Sequence, residues 1–419
     1  MSTKIRGVNL GNWLVLERWM EPELFRGTDA EDETWLRRLL PEPELRPRLR
    51  AHRDSWIRES DFQWLAEQGV NLVRIPVPYF LFGDVWPFDD LTPWLDRAFD
   101  WAEKTGICVL LDLHTTPGNQ NGYDNGGLVG VCRWCRDPEQ VEYVHTVLER
   151  LAERYGKRAG LFGIEVLNEP ISFLVYHTAP TTGRARDVKE AEGSGHVPLR
   201  FLRRFYRESY GRLRAILPEE KAIVFHDGFR LLRWNRFFRK SGMKNVYLDT
   251  HQYIWAMEMF LPVHRMWAYR LFIAAVKRMI RRVRRDVPVL VGEWCLCTRH
   301  ASFSRNHRYQ GSGTDIFGVR HRKPDWPEEE KRERHLEIRR HRQLRYLYTA
   351  DLELSAFNEA DGWIYWSYKL CGDRELPRGE SWKEGWDFRR CVRNHWLPEL
   401  RPVTGGEAAN AAGTPGIKL

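Results

Sequence analysis

The sequence predicts an α/β chain folded as a single (β/α)8 barrel with insertions in its rim loops. Three observations carry that expectation: eight short aliphatic or β-branched runs spread along the chain, segments of helical periodicity between them, and polar residues gathered where the runs end. A chain of 419 residues with 42% hydrophobic content can bury one large core. A doubly wound open sheet would normally need fewer strands.

The runs are Ile5 to Leu10, Asn71 to Ile75, Ile107 to Leu113, Leu161 to Leu167, Ala222 to His226, Asn245 to Thr250, Val287 to Gly292 and Gly362 to Trp366. Between them, Leu95, Ala98, Phe99 and Ala102 share one helical face, and Val141, Val144, Leu148, Leu151 and Tyr155 share another. Thr92 before Pro93 and Asp137 before Pro138 read as cap and first-turn pairs, and Gly106 stands where the first of these helices should stop. Thr181 to Pro198, rich in Gly, Thr and charge, reads as a flexible loop after the fourth strand, and Arg299 to Pro327 as another after the seventh. The barrel is expected to occupy residues 1–403. The Gly/Ala-rich stretch 404–419 has little to bury and is expected to be a disordered tail.

Composition narrows the function. No run of eighteen apolar residues is present, and the opening Met1 to Gly7 lacks a signal peptide's apolar stretch, so a cytoplasmic protein is expected. Seven cysteines, an odd number, argue for reduced thiols over a disulfide framework. Cys132 with Cys135 and Cys295 with Cys297 supply four thiolates to zinc only if the two pairs meet; ordinary free thiols are commoner, and neither metal nor cofactor is expected. The net charge of +9 comes from arginines scattered among acids, which argues against a nucleic-acid partner. One stretch differs: Leu261 to Arg285 carries eight Lys or Arg and no acid, interleaved with residues such as Trp267, Leu271, Ile273, Val276 and Ile280. A basic amphipathic helix of this kind can lie on a membrane surface; a barrel helix with its apolar stripe on the sheet and its charges in water is the commoner arrangement. Nineteen tryptophans suit stacking on sugar faces, as they also suit a large core.

In a β/α barrel the chemistry sits just after the strands. Those positions here hold Asn9 and Glu17, Arg74, Asp112 and His114, Asn168 and Glu169, His226 and Asp227, His251 and Tyr253, Glu293, and Trp366. An apolar strand ending in Asn-Glu-Pro and another ending in Gly-Glu-Trp deliver Glu169 and Glu293 to one rim from the fourth and seventh strands. Glycoside hydrolysis needs such a pair: one carboxyl protonates the leaving oxygen and the other attacks the anomeric carbon, with about 5–5.5 Å between them when configuration is retained. The acid must hold its proton near neutral pH. The expectation is that the second carboxylate raises its pKa while Arg74 keeps that second carboxylate ionised.

The strings Arg-Gly-Val-Asn-Leu-Gly-Asn-Trp-Leu-Val-Leu-Glu (6–17), Val-Arg-Ile-Pro (73–76), Asp-Leu-His (112–114), Pro-Gly-Asn-Gln-Asn-Gly-Tyr-Asp-Asn-Gly-Gly (117–127), Leu-Asn-Glu-Pro (167–170), Thr-His-Gln-Tyr (250–253), Gly-Glu-Trp (292–294) and Tyr-Trp-Ser-Tyr-Lys (365–369) together resemble glycoside hydrolase family 5, most closely its exo-β-1,3-glucanase branch. The resemblance runs in order from residue 5 to about residue 370. It implies a TIM barrel that hydrolyses a β-glucoside or glucan oligosaccharide with retention, Glu169 being the acid/base and Glu293 the nucleophile. It further implies that Arg74 and Tyr253 hydrogen-bond the nucleophile, that Asn168 meets the sugar 2-hydroxyl, and that His114 and His251 complete the polar wall. Trp366 becomes the stacking floor and Glu17 grips hydroxyls at the closed end. Tyr123, Asp124 and Asn125 match a loop that narrows the entrance and favours removal of a terminal sugar. Gly11-Asn12-Trp13, Gln252 and Ala256 depart from the branch's usual Gly-Gly-Trp, second histidine and phenylalanine clamp, with Trp255 the nearest substitute for the clamp. These positions touch outer sugars, so an aglycone such as a glycolipid, steryl glucoside or plant glycoside is an alternative, and a non-catalytic carbohydrate-binding barrel is an alternative of another class.

Overall fold

The computed structural model describes residues 4–178, 182–258, 266–298, 328–372, 374–376 and 381–400, with short pieces at 301, 313–314 and 320–321. Eight parallel strands close into a barrel: β1 (Ile5–Asn9), β2 (Leu72–Val77), β3 (Cys108–Leu113), β4 (Leu161–Glu165), β5 (Ala222–His226), β6 (Val246–His251), β7 (Val289–Glu293) and β8 (Gly362–Tyr365), each paired with its neighbours in sequence and β8 pairing back onto β1. All eight runs read from the sequence are strands. A helix follows each one: α1 (Glu59–Glu67), α2 (Thr92–Thr105), α3 (Pro138–Tyr155), α4 (Leu199–Arg214), α5 (Asn235–Ser241), α6 (Met266–Val283), α7 (Glu328–Phe357) and α8 (Phe388–Arg393). Two further helices, Glu33–Leu39 and Glu42–Trp56, are inserted between β1 and α1 and close over a small core of their own around Leu36, Leu45 and Leu49.

Local chemistry explains most boundaries. Asp137 caps α3 by accepting from the Glu139 and Gln140 amides, and Gly106 ends α2 in the left-handed conformation. The start of α2 differs from expectation: Thr92 is already helical, and Asp90, two residues earlier, accepts from both the Thr92 amide and its hydroxyl. A carboxylate reaches those donors where the Thr92 side chain, itself a donor here, does not. In α6 the expected division is observed in part: Ile273, Val276 and Ile280 are buried with Ala268, Tyr269 and Val283, while Trp267 and Leu271 face outward. Among the described residues no helix is long and apolar enough to cross a membrane. Most of 299–327 and all of 401–419, including the tail 404–419, lie outside the described residues.

Strand alternation builds the site. Leu72, Leu110, Val224, Leu290 and Ile364 pack together as one buried apolar layer. Two residues further along each strand, on the same face, stand Arg74, Asp112, His226, Gly292 and Trp366. The interior therefore changes from aliphatic to polar in one step toward the C-terminal rim. Gly163 belongs to this scheme, since a Cβ there would lie 2.3 Å from the Ala222 carbonyl oxygen on β5.

Candidate active site

Arg74 organises the rim. Its fully buried guanidinium donates from Nε to Glu165 (2.7 Å), from Nη1 to Asn9 (3.0 Å) and to Glu293 (3.0 Å), and from Nη2 to Asn168 (2.9 Å), with the Asp112 carboxylate 3.1 Å from Nη2. One side chain thus ties β2 to β1, β3, β4 and β7. Such a planar fork serves several acceptors at once, which an ammonium cannot. Asn9 extends the tie by donating to the carbonyls of Gly292 and Tyr365.

Around this hub lie the two expected carboxylates. Glu293 accepts from Arg74 on Oε1 and from the Tyr253 hydroxyl on Oε2 (2.6 Å). Glu169 has a left-handed backbone (φ 44°) and accepts from the Asn125 amide on Oε2 (2.9 Å). His251 stands between them, its Nδ1 2.7 Å from Glu169 Oε1 and 3.3 Å from Glu293 Oε2, so these two oxygens are no more than about 6 Å apart. His251 Nε2 lies 3.3 Å from Asp249.

Of the other expected residues, His114 bonds Asp112 through Nδ1 (2.5 Å), approaches Asn168 Nδ2 at 3.4 Å, and stacks on Trp366 at 5.6 Å between ring centres, joined to Ser367 by a cis peptide bond on the Trp366 side. Glu17 is buried and accepts from Trp19 Nε1 (2.8 Å). Its Oε1 has no hydrogen-bond partner among the described residues, nor has Asn12 Nδ2; Asn12, expected at an outer sugar, is instead buried beside Glu17, its Oδ1 accepting from the Glu17 amide. Asn121 donates to Asn125 and so aims it at Glu169; Tyr123 and Asp124 flank it on the same turn. Trp255 is set back, touching Tyr253 and Trp386 rather than a carboxylate. His226 packs edge-on against His251 at 4.3 Å and accepts from the Gly228 amide, while Asp227 accepts from Thr250 and Phe229 and braces the rim.

The electrostatics overturn one expectation. Burial favours a protonated Glu169, but the His251 hydrogen bond and charge outweigh it and bring Glu169 down to about 2. Burial and the charge of Glu169 push Glu293 up, against the pull of His251 and Arg74. His251 is itself held well above the ordinary histidine value: Glu293, Asp249 and Glu169 outweigh its burial. The proton expected on Glu169 therefore rests on His251. Burial and the Asp124, Glu293 and Glu169 charges also raise Glu17.

Two side-chain groups have metal-like spacing, Glu169 with His226 and His251, and Glu165 with Asp249 and His251. Both contain His251, whose ring nitrogens already face Glu169, Glu293 and Asp249. The cysteine pairs do not form a third: Cys132 packs with Ile171 and Tyr176, Cys295 and Cys297 lie in the main core, and among the described residues no ligand group contains them.

Sequence reasoning missed Glu165 and Asp249, buried carboxylates that fix Arg74 and His251 from below. The signal was present, since each is an acid inside an otherwise apolar run. Trp386, edge-on to Trp19 and tilted against Tyr253, was also missed, because it follows a stretch without periodicity.

A parallel barrel with two carboxylates facing each other at its rim, held by a buried polar network, has the architecture of a glycoside hydrolase. Comparisons agree. Residues 44–185 match the family model "Cellulase (glycosyl hydrolase family 5)". The chain is 32% identical to the probable glucan 1,3-beta-glucosidase A of Emericella nidulans, covering 98% of this chain and 93% of that one, and 30% identical to the glucan 1,3-beta-glucosidase of Blumeria graminis, covering 99% and 90%. The fold is also that of the rutinosidase of Aspergillus niger, with a TM-score of 0.66 at 20% identity over 94% of this chain and 98% of that one. The chain belongs to glycosyl hydrolase family 5.

Proposed function

We propose that this enzyme removes terminal glucose from β-1,3-linked glucan or its oligosaccharides by double displacement. The observation that carries the mechanism is the position of His251 between Glu169 and Glu293, which keeps the facing oxygens within about 6 Å. That spacing suits retention and leaves no room for the extra water of an inverting site. Glu293, gripped by Arg74 and Tyr253, attacks the anomeric carbon as the glycosidic bond breaks. Glu169 gives its proton to the departing oxygen, then takes one from the water that releases the sugar from Glu293. The mobile proton reaches Glu169 from His251 Nδ1 along the 2.7 Å hydrogen bond, so the acid is recharged from within the site. Asn168 is the partner for the sugar 2-hydroxyl and Trp366 the floor beneath the ring.

The names of the relatives support the β-1,3 linkage. Terminal attack is supported by Glu17 Oε1 and Asn12 Nδ2, buried polar atoms whose needs the hydroxyls of an end sugar would meet. The test is hydrolysis of p-nitrophenyl β-glucoside and laminari-oligosaccharides, with the product anomer followed by NMR for the wild type and for Glu293→Gln. Early β-glucose that vanishes in the variant supports the reading; release of long oligosaccharides, or early α-glucose, overturns it.

A further inference from the structure

On the outer wall of the barrel, away from the catalytic rim's mouth, α4, α5 and α6 enclose a cleft of about 580 Å³. Arg203 and Arg207 from α4, Arg233 from the turn before α5, Arg236 and Lys240 from α5, and Arg282 from α6 line it together with Leu232, Asn235 and Phe237. No carboxylate lines the cleft, and among the described residues none of the six cations has an ion-pair partner. On the opposite flank of α6, Lys277 and Arg281 pair with Glu359, and Arg284 pairs with Asp361. Asp286, close by, accepts from Asn235 and lies 4.0 Å from Arg239. Burial and the charges of Arg207 and Arg233 lower the Arg203 guanidinium, the response of a group crowded by like charge.

Six concentrated cations destabilise one another unless an anion sits among them. The shape and charge of the cleft suit phosphate esters, which guanidinium groups grip bidentately. Apolar side chains share the same side of the molecule. At about 100° per residue, Trp267, Leu271, Arg278 and Arg282 fall within about 60° of one another around α6. Trp267 and Leu271 are 59% and 62% exposed, and Leu232 beside the cleft is 43% exposed. A soluble phosphate compound has no use for outward tryptophan and leucine. A bilayer uses both, phosphate headgroups meeting the cations and the interface taking the apolar side chains.

We propose that the α4–α5–α6 wall docks on an anionic phospholipid surface, with lipid phosphates entering the cleft between Arg203, Arg236 and Arg282. The inference is independent of which β-glucoside the enzyme cleaves, because the cleft contains no residue of the catalytic site. Because α6 begins on the catalytic side of the barrel, docking through Trp267 brings the mouth close to the membrane.

The test is co-sedimentation of the full chain with vesicles of phosphatidylcholine alone and of phosphatidylcholine with phosphatidylserine, with tripolyphosphate as the soluble probe. Partition onto the phosphatidylserine vesicles, weakened by salt, is expected. Each cation at an anionic surface contributes roughly fivefold, so Arg233→Gln/Arg236→Gln/Lys240→Gln should weaken partition on the order of a hundredfold. Those three side chains are exposed, and the variant should hydrolyse p-nitrophenyl β-glucoside like the wild type. Trp267→Ser should weaken vesicle binding without changing tripolyphosphate binding. Failure of the wild type to bind phosphatidylserine vesicles at low ionic strength, tripolyphosphate binding without vesicle binding, or full binding by the triple variant would each overturn the proposal.

Discussion

Replacing Arg74 by lysine tests the hub of the site while keeping its charge. The guanidinium meets five acceptors, Glu165, Asn9, Glu293, Asn168 and Asp112, at 2.7 to 3.1 Å. An ammonium has three donors radiating from one atom, so at least two contacts are lost at a fully buried position. Hydrogen bonds to charged groups contribute about 1.5–3 kcal/mol each, which sets the cost at about 3–6 kcal/mol. With an unfolding entropy of about 2.1 cal/mol/K per residue, a chain of 419 residues has about 0.9 kcal/mol/K in total, and the melting temperature should fall by about 3–7 °C. Activity should fall further than stability. Glu293 loses a donor that pulls it toward ionisation, so its pKa rises and the acid limb of the pH–rate profile moves upward. Thermal melting together with kcat/KM against pH on p-nitrophenyl β-glucoside reads both effects. A variant that melts within about 1 °C of the wild type with an unmoved acid limb would refute the claim that the planar fork holds the rim together.

Three further outcomes follow from the same geometry. Glu169→Gln should lower turnover of unactivated glucosides by about 10²–10⁴-fold while sparing substrates with strongly acidic leaving groups; azide should rescue it to give the β-glucosyl azide, and equal loss on both substrate types would remove Glu169 from the acid role. The wild-type pH–rate profile should be bell-shaped, activity failing as pH falls through the raised value of Glu293 and as pH rises through the raised value of His251, because the trio needs one mobile proton and one free carboxylate; His251→Asn should pull the alkaline limb down, and an unmoved limb would take His251 out of the proton path. Gly126→Ala should reduce kcat by disturbing Asn125, since the added Cβ would lie 2.0 Å from Asn119 Oδ1, whose amide group bonds the carbonyls of Tyr123 and Leu128; wild-type kcat in a folded Gly126→Ala protein would show that the turn does not aim Asn125 at Glu169.

The strands were legible because each is mostly buried and reads as a short, largely apolar run broken by few polar residues, with Ala222–His226 recovered at the same limits. The inserted helices Glu33–Leu39 and Glu42–Trp56 were not. The second is dominated by arginine and acid, carries Pro47 inside it, and spreads its buried residues Leu45, Leu49 and Trp56 too thinly for periodicity to stand out. Tertiary packing over Phe25 and Leu36 supplies what the local pattern lacks. In α6 the composition was read correctly and the direction of each side chain only partly, because Trp267 and Leu271 break the inward stripe without breaking the helix.

The site divides in the same way. Strand ends locate Glu169 and Glu293 because an apolar run that stops at a carboxylate leaves it at the rim, whatever surrounds it. Protonation cannot be read so, since it depends on which third group comes within hydrogen-bond distance. A bare pair of carboxylates would share a proton, the more buried one holding it. Here β6 ends one residue past the bulge at Thr250, and the register shift turns His251 inward beside Glu293 and under Glu169. Asp249 below and Glu293 beside make the imidazole more basic than the acid it serves. In the proposed mechanism Glu169 is thus an acid that borrows its proton, and the alternation Asp249, His251 along one strand face, rather than the Asn-Glu-Pro motif, sets the alkaline limb of the pH profile.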